Sequence, residues 1–136
     1  MKNKVFEFLD LGNQPLANSY IKKKNLNKKE RMYRLVVCFN NLSKLVSIKK
    51  TFSSKDMFNN EYPYRSSTSQ TMKLHLKKLA QNIKKKKPKK ILEIGSNDGC
   101  FIKNFDKNKT IGVEPCANVE KITKKQKYNT YPEFWS

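Results

Sequence analysis

The chain has 136 residues, of which 30 are lysine or arginine and 11 are aspartate or glutamate, giving a formal net charge of +19. Such a charge is compatible with binding to nucleic acid or to acidic membranes. However, only Arg31, Arg34 and Arg65 are arginines, the residue on which specific base and phosphate recognition usually depends. We therefore predict no specific nucleic-acid partner, and the abundance of asparagine beside lysine indicates AT-rich coding bias as the simpler source of the charge.

Apolar patterning and cysteine content further limit the class of protein and its compartment. No stretch reaches the roughly 18 apolar residues of a membrane span, so we predict no membrane partner. No apolar signal region follows Met1, so no secretory signal is predicted. The three cysteines Cys38, Cys100 and Cys116 form no C-x-x-C pair, which is typical of a reducing compartment. We expect a cytoplasmic protein.

The first part of the chain, residues 1–56, predicts a small domain of short strands and loops. Residues 5–11, 34–37 and 45–48 are strand candidates, and residues 22–31 form a charged, solvated loop. Residues 57–88 then predict a polar aromatic linker followed by a helix. Its apolar positions fall on one helical face, and Ser67 with Gln70 offers a capping box. Pro88 ends the helix.

The third part, residues 89–136, contains the most informative segment, KKILEIGSNDGCF followed by TIGVEP. The apolar run at residues 91–94 predicts a buried parallel strand. Gly95 and Gly99 bracket Ser96, Asn97 and Asp98, as in a tight turn beneath a ligand. We predict a helix over residues 100–105, a second strand over 111–113, a helix over 119–127 and a third strand near 128–135.

Glu114 completes this pattern, because it lies 19 residues after Gly95 and directly follows the second apolar stretch. An acidic residue at this spacing is where a ribose hydroxyl pair is usually held. A dinucleotide site prefers G-x-G-x-x-G, whereas the spacing here is E-x-G-x-N-x-G, starting at Glu93. We therefore favour S-adenosylmethionine over NAD, while an α/β domain whose turn binds nothing stays open.

The chain resembles the sugar C-methyltransferase family in four blocks that occur in the family's order. They are LDLGNQPLANSY (9–20), MFNNEYPYRSSTSQTMKLH (57–75), ILEIGSNDGCFIKNF (91–105) and IGVEPCANV (111–119). The resemblance implies an α/β protein with a small β/loop N-terminal domain (1–56), a substrate-region linker and helix (57–88), and the first βαβ part of a Rossmann-like cofactor domain (89–136).

The resemblance also implies roles for individual residues. Glu93, Gly95, Ser96, Asn97, Asp98 and Gly99 would line S-adenosylmethionine, and Glu114 would hold its ribose. Tyr62, Tyr64, Ser66 and Ser67 match the stretch that reaches a nucleotide-linked deoxy- or keto-sugar. Two packed tyrosines followed by a helix cap are the ordinary structural alternative for this cluster. His75 also matches a family position, but we interpret it as structural because it lies beside an apolar helical face.

Two departures from the family limit what is expected of this chain. The family's N-terminal domain binds zinc through cysteine pairs, whereas here Cys38 stands alone, so we predict no metal. The remaining strands and the C-terminal domain, where the family's general base lies, are not in this sequence, so we assign no catalytic base. We expect weak or no turnover from the chain by itself, and a second chain could carry the missing half.

A non-enzymatic alternative is a basic fragment that binds nucleotide or anionic polymer through its lysines, and strong salt dependence would distinguish it.

Overall fold

The computed structural model describes residues 4–135, and the chain divides into two compact units, Met1–Met57 and Phe58–Ser136. The architecture is mixed α/β, with one antiparallel and one parallel three-stranded sheet, which confirms the predicted fold class. The second unit contains both the predicted helix region and the predicted cofactor region. The finer three-part division stays a prediction.

The first unit is built on an antiparallel sheet of β1 (Val5–Pro15), β2 (Met32–Asn40) and β3 (Val46–Ile48), in that order. All three strands were predicted from the sequence, but β1 and β2 are longer than expected. Two register shifts in β1 explain its length, because they let the strand stay paired with β2 past residues 10–13.

Exposed ion pairs connect charged residues across this sheet, and small apolar side chains are buried within it. The Arg34 guanidinium donates to Asp10 at 2.7 Å, which lowers the pKa of that carboxyl. Glu7 forms an ion pair with Lys49. Val36 and Cys38 on β2 are buried, so Cys38 packs as a small apolar residue. A short helix, α1 (Ser54–Met57), ends the unit.

The second unit begins with a loop and the helix α2 (Gln70–Lys85). The capping-box prediction at Ser67 is wrong. The helix is capped by Ser69, whose hydroxyl oxygen accepts from the Met72 N–H at 3.2 Å, while Ser67 lies in a preceding 3-10 turn. The predicted apolar face consists of Met72, Leu76, Leu79, Ala80 and Ile83, of which Ala80 is buried.

The parallel sheet of the second unit has the order β4 (Ile91–Ile94), β5 (Thr110–Val113), β6 (Asn129–Tyr131). The helix α3 (Ala117–Lys125) connects β5 to β6 and is tied to β6 by buried polar groups. Thr130 donates to the Glu120 carboxylate at 2.9 Å, and its hydroxyl oxygen lies 2.9 Å from that of Thr123.

The helix predicted over residues 100–105 is not formed, and this segment contains only the 3-10 turn Ile102–Asn104. The side-chain amide of Asn104 donates to the carbonyls of Cys100 and Phe101 at 3.1 and 2.8 Å. Asparagine thereby competes with the backbone donors that a continuing α-helix would need. Across residues 4–135, no helix combines the length and apolar character needed to cross a membrane.

Candidate functional site

The candidate site lies where β4 and β5 end, at the turn formed by residues 95–99. The backbone N–H groups of Gly95 and Ser96 both donate to the Val113 carbonyl, at 2.8 and 3.0 Å. The turn therefore starts where β4 and β5 are still bonded together. Carboxyl ends of adjacent parallel strands are the usual position of ligands in α/β sheets.

The two glycines of the turn are required for different reasons. Both have positive φ, +73° at Gly95 and +76° at Gly99. Residues other than glycine rarely adopt this backbone conformation. A Cβ at Gly99 would lie 2.5 Å from Cγ2 of Thr123, whereas a Cβ at Gly95 would meet no atom within 4 Å. Gly99 thus permits close packing on α3, and Gly95 borders open space.

Glu114 fixes this turn from the end of β5. Only 4% of the residue is exposed, and its two carboxylate oxygens accept from the backbone N–H groups of Asn97 and Cys116 at 2.8 and 2.9 Å. A carboxylate has about four lone-pair sites, so each oxygen retains capacity for a further donor. Glu114 therefore holds the turn in place and keeps acceptor capacity for a hydroxyl.

The predicted substrate cluster is bonded to the predicted cofactor turn. The side chain of Asn97 accepts from the Ser66 N–H at 2.9 Å and donates to the Tyr64 carbonyl at 3.2 Å. Asp98 accepts from the Ser67 N–H at 3.2 Å. The side chains of Asn97 and Asp98 consequently position the loop of residues 62–67 next to the turn.

Asn118, on the first turn of α3, is a residue that sequence reasoning missed. Its amide donates to the Tyr62 carbonyl at 2.8 Å and anchors the other end of the loop. The rings of Tyr62 and Tyr64 meet edge-on at 6.5 Å, and Tyr64 is 40% exposed. The only sequence signal was the position of Asn118 four residues after Glu114.

Glu93 is the unusual titratable group of the site. Burial, together with the negative charges of Glu114 and Asp98, raises the pKa of its carboxyl to about 8, although the Ile102 N–H favours the ionised form. Glu93 therefore carries a proton at neutral pH. It lies on the face of the sheet that also carries Gly112 and Thr130.

Several buried polar atoms around the turn have no hydrogen-bond partner within the described part of the chain. They are Glu93 Oε2, Ser96 Oγ, Asp98 Oδ1 and Asn118 Oδ1. Buried polar atoms without partners are rare in folded proteins and call for an explanation. Ser96 Oγ, Asp98 Oδ1 and Asn118 Oδ1 can accept, which fits the ammonium, amine and hydroxyl donors of S-adenosylmethionine, whereas the protonated Glu93 carboxyl can donate. The residues present therefore fit this cofactor.

Zinc does not fit the first unit. Cys38 is the only cysteine and there is no histidine in residues 1–57, whereas structural zinc requires four ligands. Among residues 4–135, no cluster of three or more histidine, cysteine or acidic residues could hold a metal. Cys38 is also 2% exposed within the sheet.

The fold and the site define an α/β protein. Its glycine-containing turn at residues 95–99 lies at the carboxyl edge of a parallel sheet, where ligands of such folds usually bind. Residues 2–58 match a methyltransferase family model described as "Putative zinc binding domain". The match connects the N-terminal unit with methyltransferases and carries no information about the methyl acceptor. Among curated proteins, the comparison found no match to the chain.

Proposed function

We propose that the chain is part of an S-adenosylmethionine-dependent C-methyltransferase acting on a nucleotide-linked deoxy- or keto-sugar. The observation that carries the proposal is the buried Glu114, which holds the 95–99 turn at the carboxyl ends of β4 and β5. The family match of the N-terminal unit and the resemblance of the four sequence blocks point in the same direction.

In this proposal the chain positions the cofactor through acceptors of fixed geometry. Glu114 accepts the ribose hydroxyls, while Asp98 Oδ1, which has no other partner among residues 4–135, accepts from the ammonium group of the methionine end. Gly95 leaves space beside the cofactor. When bound, S-adenosylmethionine supplies an electrophilic methyl group, and holding it in a fixed orientation contributes much of the rate of such a transfer.

The sugar would be presented by the loop of residues 62–67. Its backbone groups are bonded to Asn97, Asp98 and Asn118, so the exposed Tyr64 ring is held close to the turn. Tyr64 would orient a sugar hydroxyl or ketone, together with Tyr62, Ser66 and Ser67. No residue of this chain is assigned as the general base.

A second chain remains part of the proposal, and one face of the parallel sheet supports it. Leu92 is 48% exposed, Ile94 55% and Tyr131 44%. Strand register places these residues on the face opposite Glu93. Parallel sheets are normally covered on both faces, so a further protein segment, such as the second chain of this proposal, would bury this face.

The proposal is tested by calorimetric titration of S-adenosylmethionine into the chain and into two glycine variants. Gly95 and Gly12 have nearly the same φ, +73° and +68°, and an added Cβ would meet nothing within 4 Å at either position. The backbone strain of Gly95→Ala and Gly12→Ala is therefore matched, at about 1 kcal/mol. Only the Gly95→Ala methyl group enters the proposed cofactor space.

We expect Gly95→Ala to weaken binding of S-adenosylmethionine by about tenfold or more, and Gly12→Ala to leave it unchanged. Equal affinity in the two folded variants would contradict the assignment of the cofactor to this turn.

A further inference from the structure

The opposite edge of the parallel sheet, where the strands begin, contains a cavity of about 410 Å³. Its lining residues are Lys90, Lys107, Asn108, Lys109, Thr110, Ile111, Lys127 and Asn129. Four of the eight are lysines, and none is acidic. We propose that this cavity, called here the lysine cavity, binds a phosphate-bearing anion of the size of pyrophosphate.

The topology explains why lysines distant in sequence line one cavity. Lys90 immediately precedes β4, Lys109 immediately precedes β5, and Lys127 lies two residues before β6. Because the three strands are parallel and adjacent, their starting points meet at one edge of the sheet. The lysine cavity is therefore separate from the Glu114 site, which lies at the ends of the same strands.

One cation of the cavity is held in place by the protein. The ammonium of Lys107 donates to the Gln126 carbonyl at 2.7 Å and lies 5.1 Å from the ring centroid of Tyr128. A lysine ammonium has three donors, so Lys107 retains donors for an anion. Its side chain is already ordered, so binding need not restrict it further.

The backbone that carries two other lysines is also fixed by hydrogen bonds. The N–H of Lys109 donates to the Asp106 carbonyl at 3.0 Å, and that of Lys127 donates to the Lys124 carbonyl at 2.9 Å. The acidic residue nearest in sequence, Asp106, accepts from the Asn108 N–H at 3.0 Å. Its carboxylate is thus engaged in capping a turn.

The composition of the cavity favours phosphate groups over bases. Lysine ammonium groups bind phosphate as point charges, whereas recognition of single-stranded nucleic acid depends on aromatic rings on which bases stack. None of the lining residues is aromatic. Several lysines around one cavity also repel one another, and a multivalent anion would relieve that repulsion. We therefore expect inorganic pyrophosphate to bind as well as a nucleoside diphosphate.

The test is calorimetric titration of inorganic pyrophosphate into the full chain at about 0.15 M salt, where nonspecific binding is reduced. The cavity variant combines Lys90→Gln, Lys109→Gln and Lys127→Gln, and it retains Lys107 because that side chain bonds to the end of α3. The control variant combines Lys73→Gln, Lys77→Gln and Lys78→Gln, which are exposed positions on α2. Both variants lose the same charge from the same unit.

We expect the cavity variant to lose affinity for pyrophosphate by about tenfold or more, and the control variant by less than about twofold. Circular dichroism of both variants verifies that they are folded. Equal losses in the two variants, or no binding to the parent chain, would overturn the proposal. Tighter binding of a single-stranded oligonucleotide that pyrophosphate fails to displace would overturn it in favour of a nucleic-acid surface.

Pyrophosphate binding at the lysine cavity does not depend on the cofactor site at Glu114. The cavity variant should bind S-adenosylmethionine as the parent chain does, because the two sites lie at opposite ends of the strands. A loss of pyrophosphate binding with unchanged cofactor binding therefore identifies the lysine cavity itself.

Discussion

The Glu114 carboxylate accepts the backbone N–H of Asn97 at 2.8 Å and thereby bonds the end of β5 to the turn that follows β4. Asn97 has a positive φ of 49°, which its short polar side chain tolerates better than most. The same residue bonds the loop at Tyr64 and Ser66 through its side chain. One asparagine thus connects the predicted ribose-binding residue with the predicted substrate loop.

Replacing Glu114 should destabilise the protein even without ligand. In Glu114→Gln, one oxygen can still accept, but the amide group faces the other backbone N–H. We expect the free energy of unfolding to fall by about 2 kcal/mol, measured by chemical denaturation. The exposed Glu133→Gln is the control in the same unit. Equal stability of the two variants would show that Glu114 does not hold the turn.

Gly99→Ala should be more harmful than Gly95→Ala, although both positions have similar positive φ. The difference is the contact of 2.5 Å between a Cβ at position 99 and Cγ2 of Thr123. We expect an additional loss of about 2 kcal/mol for Gly99→Ala, measured by thermal unfolding. Adding Thr123→Ser, which removes Cγ2 and keeps the hydroxyl, should restore part of it. Failure of this rescue would refute the steric explanation.

The pH dependence of stability should report the protonation of Glu93. Its pKa in the folded protein is raised from 4.5 to about 8, so folding binds a proton between these pH values. The contribution of Glu93 to the free energy of unfolding is complete below the pKa of the unfolded state. It is lost as pH rises through the pKa of the folded state.

The neutral amide of Glu93→Gln resembles the protonated carboxyl and does not titrate. This variant therefore does not lose stability at this position as pH rises. We expect its stability relative to the parent to rise from about pH 4.5 to about pH 8 and then level off, reaching on the order of 5 kcal/mol. Unfolding is followed by denaturation at a series of pH values. A constant difference between the two proteins across this range would rule out the raised pKa.

Metal removal should leave the first unit unaffected. Cys38 is buried as an apolar residue, and residues 1–57 contain no second cysteine and no histidine. We expect elemental analysis to find less than stoichiometric zinc, and a chelator to leave the melting temperature unchanged. Cys38→Ala should cost only about 1 kcal/mol. One zinc per chain, lost together with stability on chelation, would contradict this account.

The sequence predicted the strands well because their apolar runs are bounded by polar residues and by Gly95. It predicted the wrong cap for α2, because Ser66, Ser67 and Ser69 lie close together and only the structure shows which hydroxyl meets a free N–H. The helix after the turn was predicted from local pattern, but only a 3-10 turn forms there, because the side-chain amide of Asn104 competes for two preceding backbone carbonyls.

The lysine cavity could not be predicted, because Lys90, Lys109 and Lys127 are far apart in the sequence and read as scattered surface charge. Only the parallel pairing of β4, β5 and β6 brings their positions to one sheet edge. Similarly, the bonds of Asn97, Asp98 and Asn118 to the 62–67 loop depend on tertiary contacts, so the sequence identified the two segments without their connection.

The most direct test of the central claim is calorimetric titration of S-adenosylmethionine into the purified chain at moderate salt. The account predicts saturable binding that persists when salt is raised and is weakened by Gly95→Ala but not by Gly12→Ala. Absence of binding from a sample that circular dichroism shows to be folded would contradict the cofactor site at Glu114.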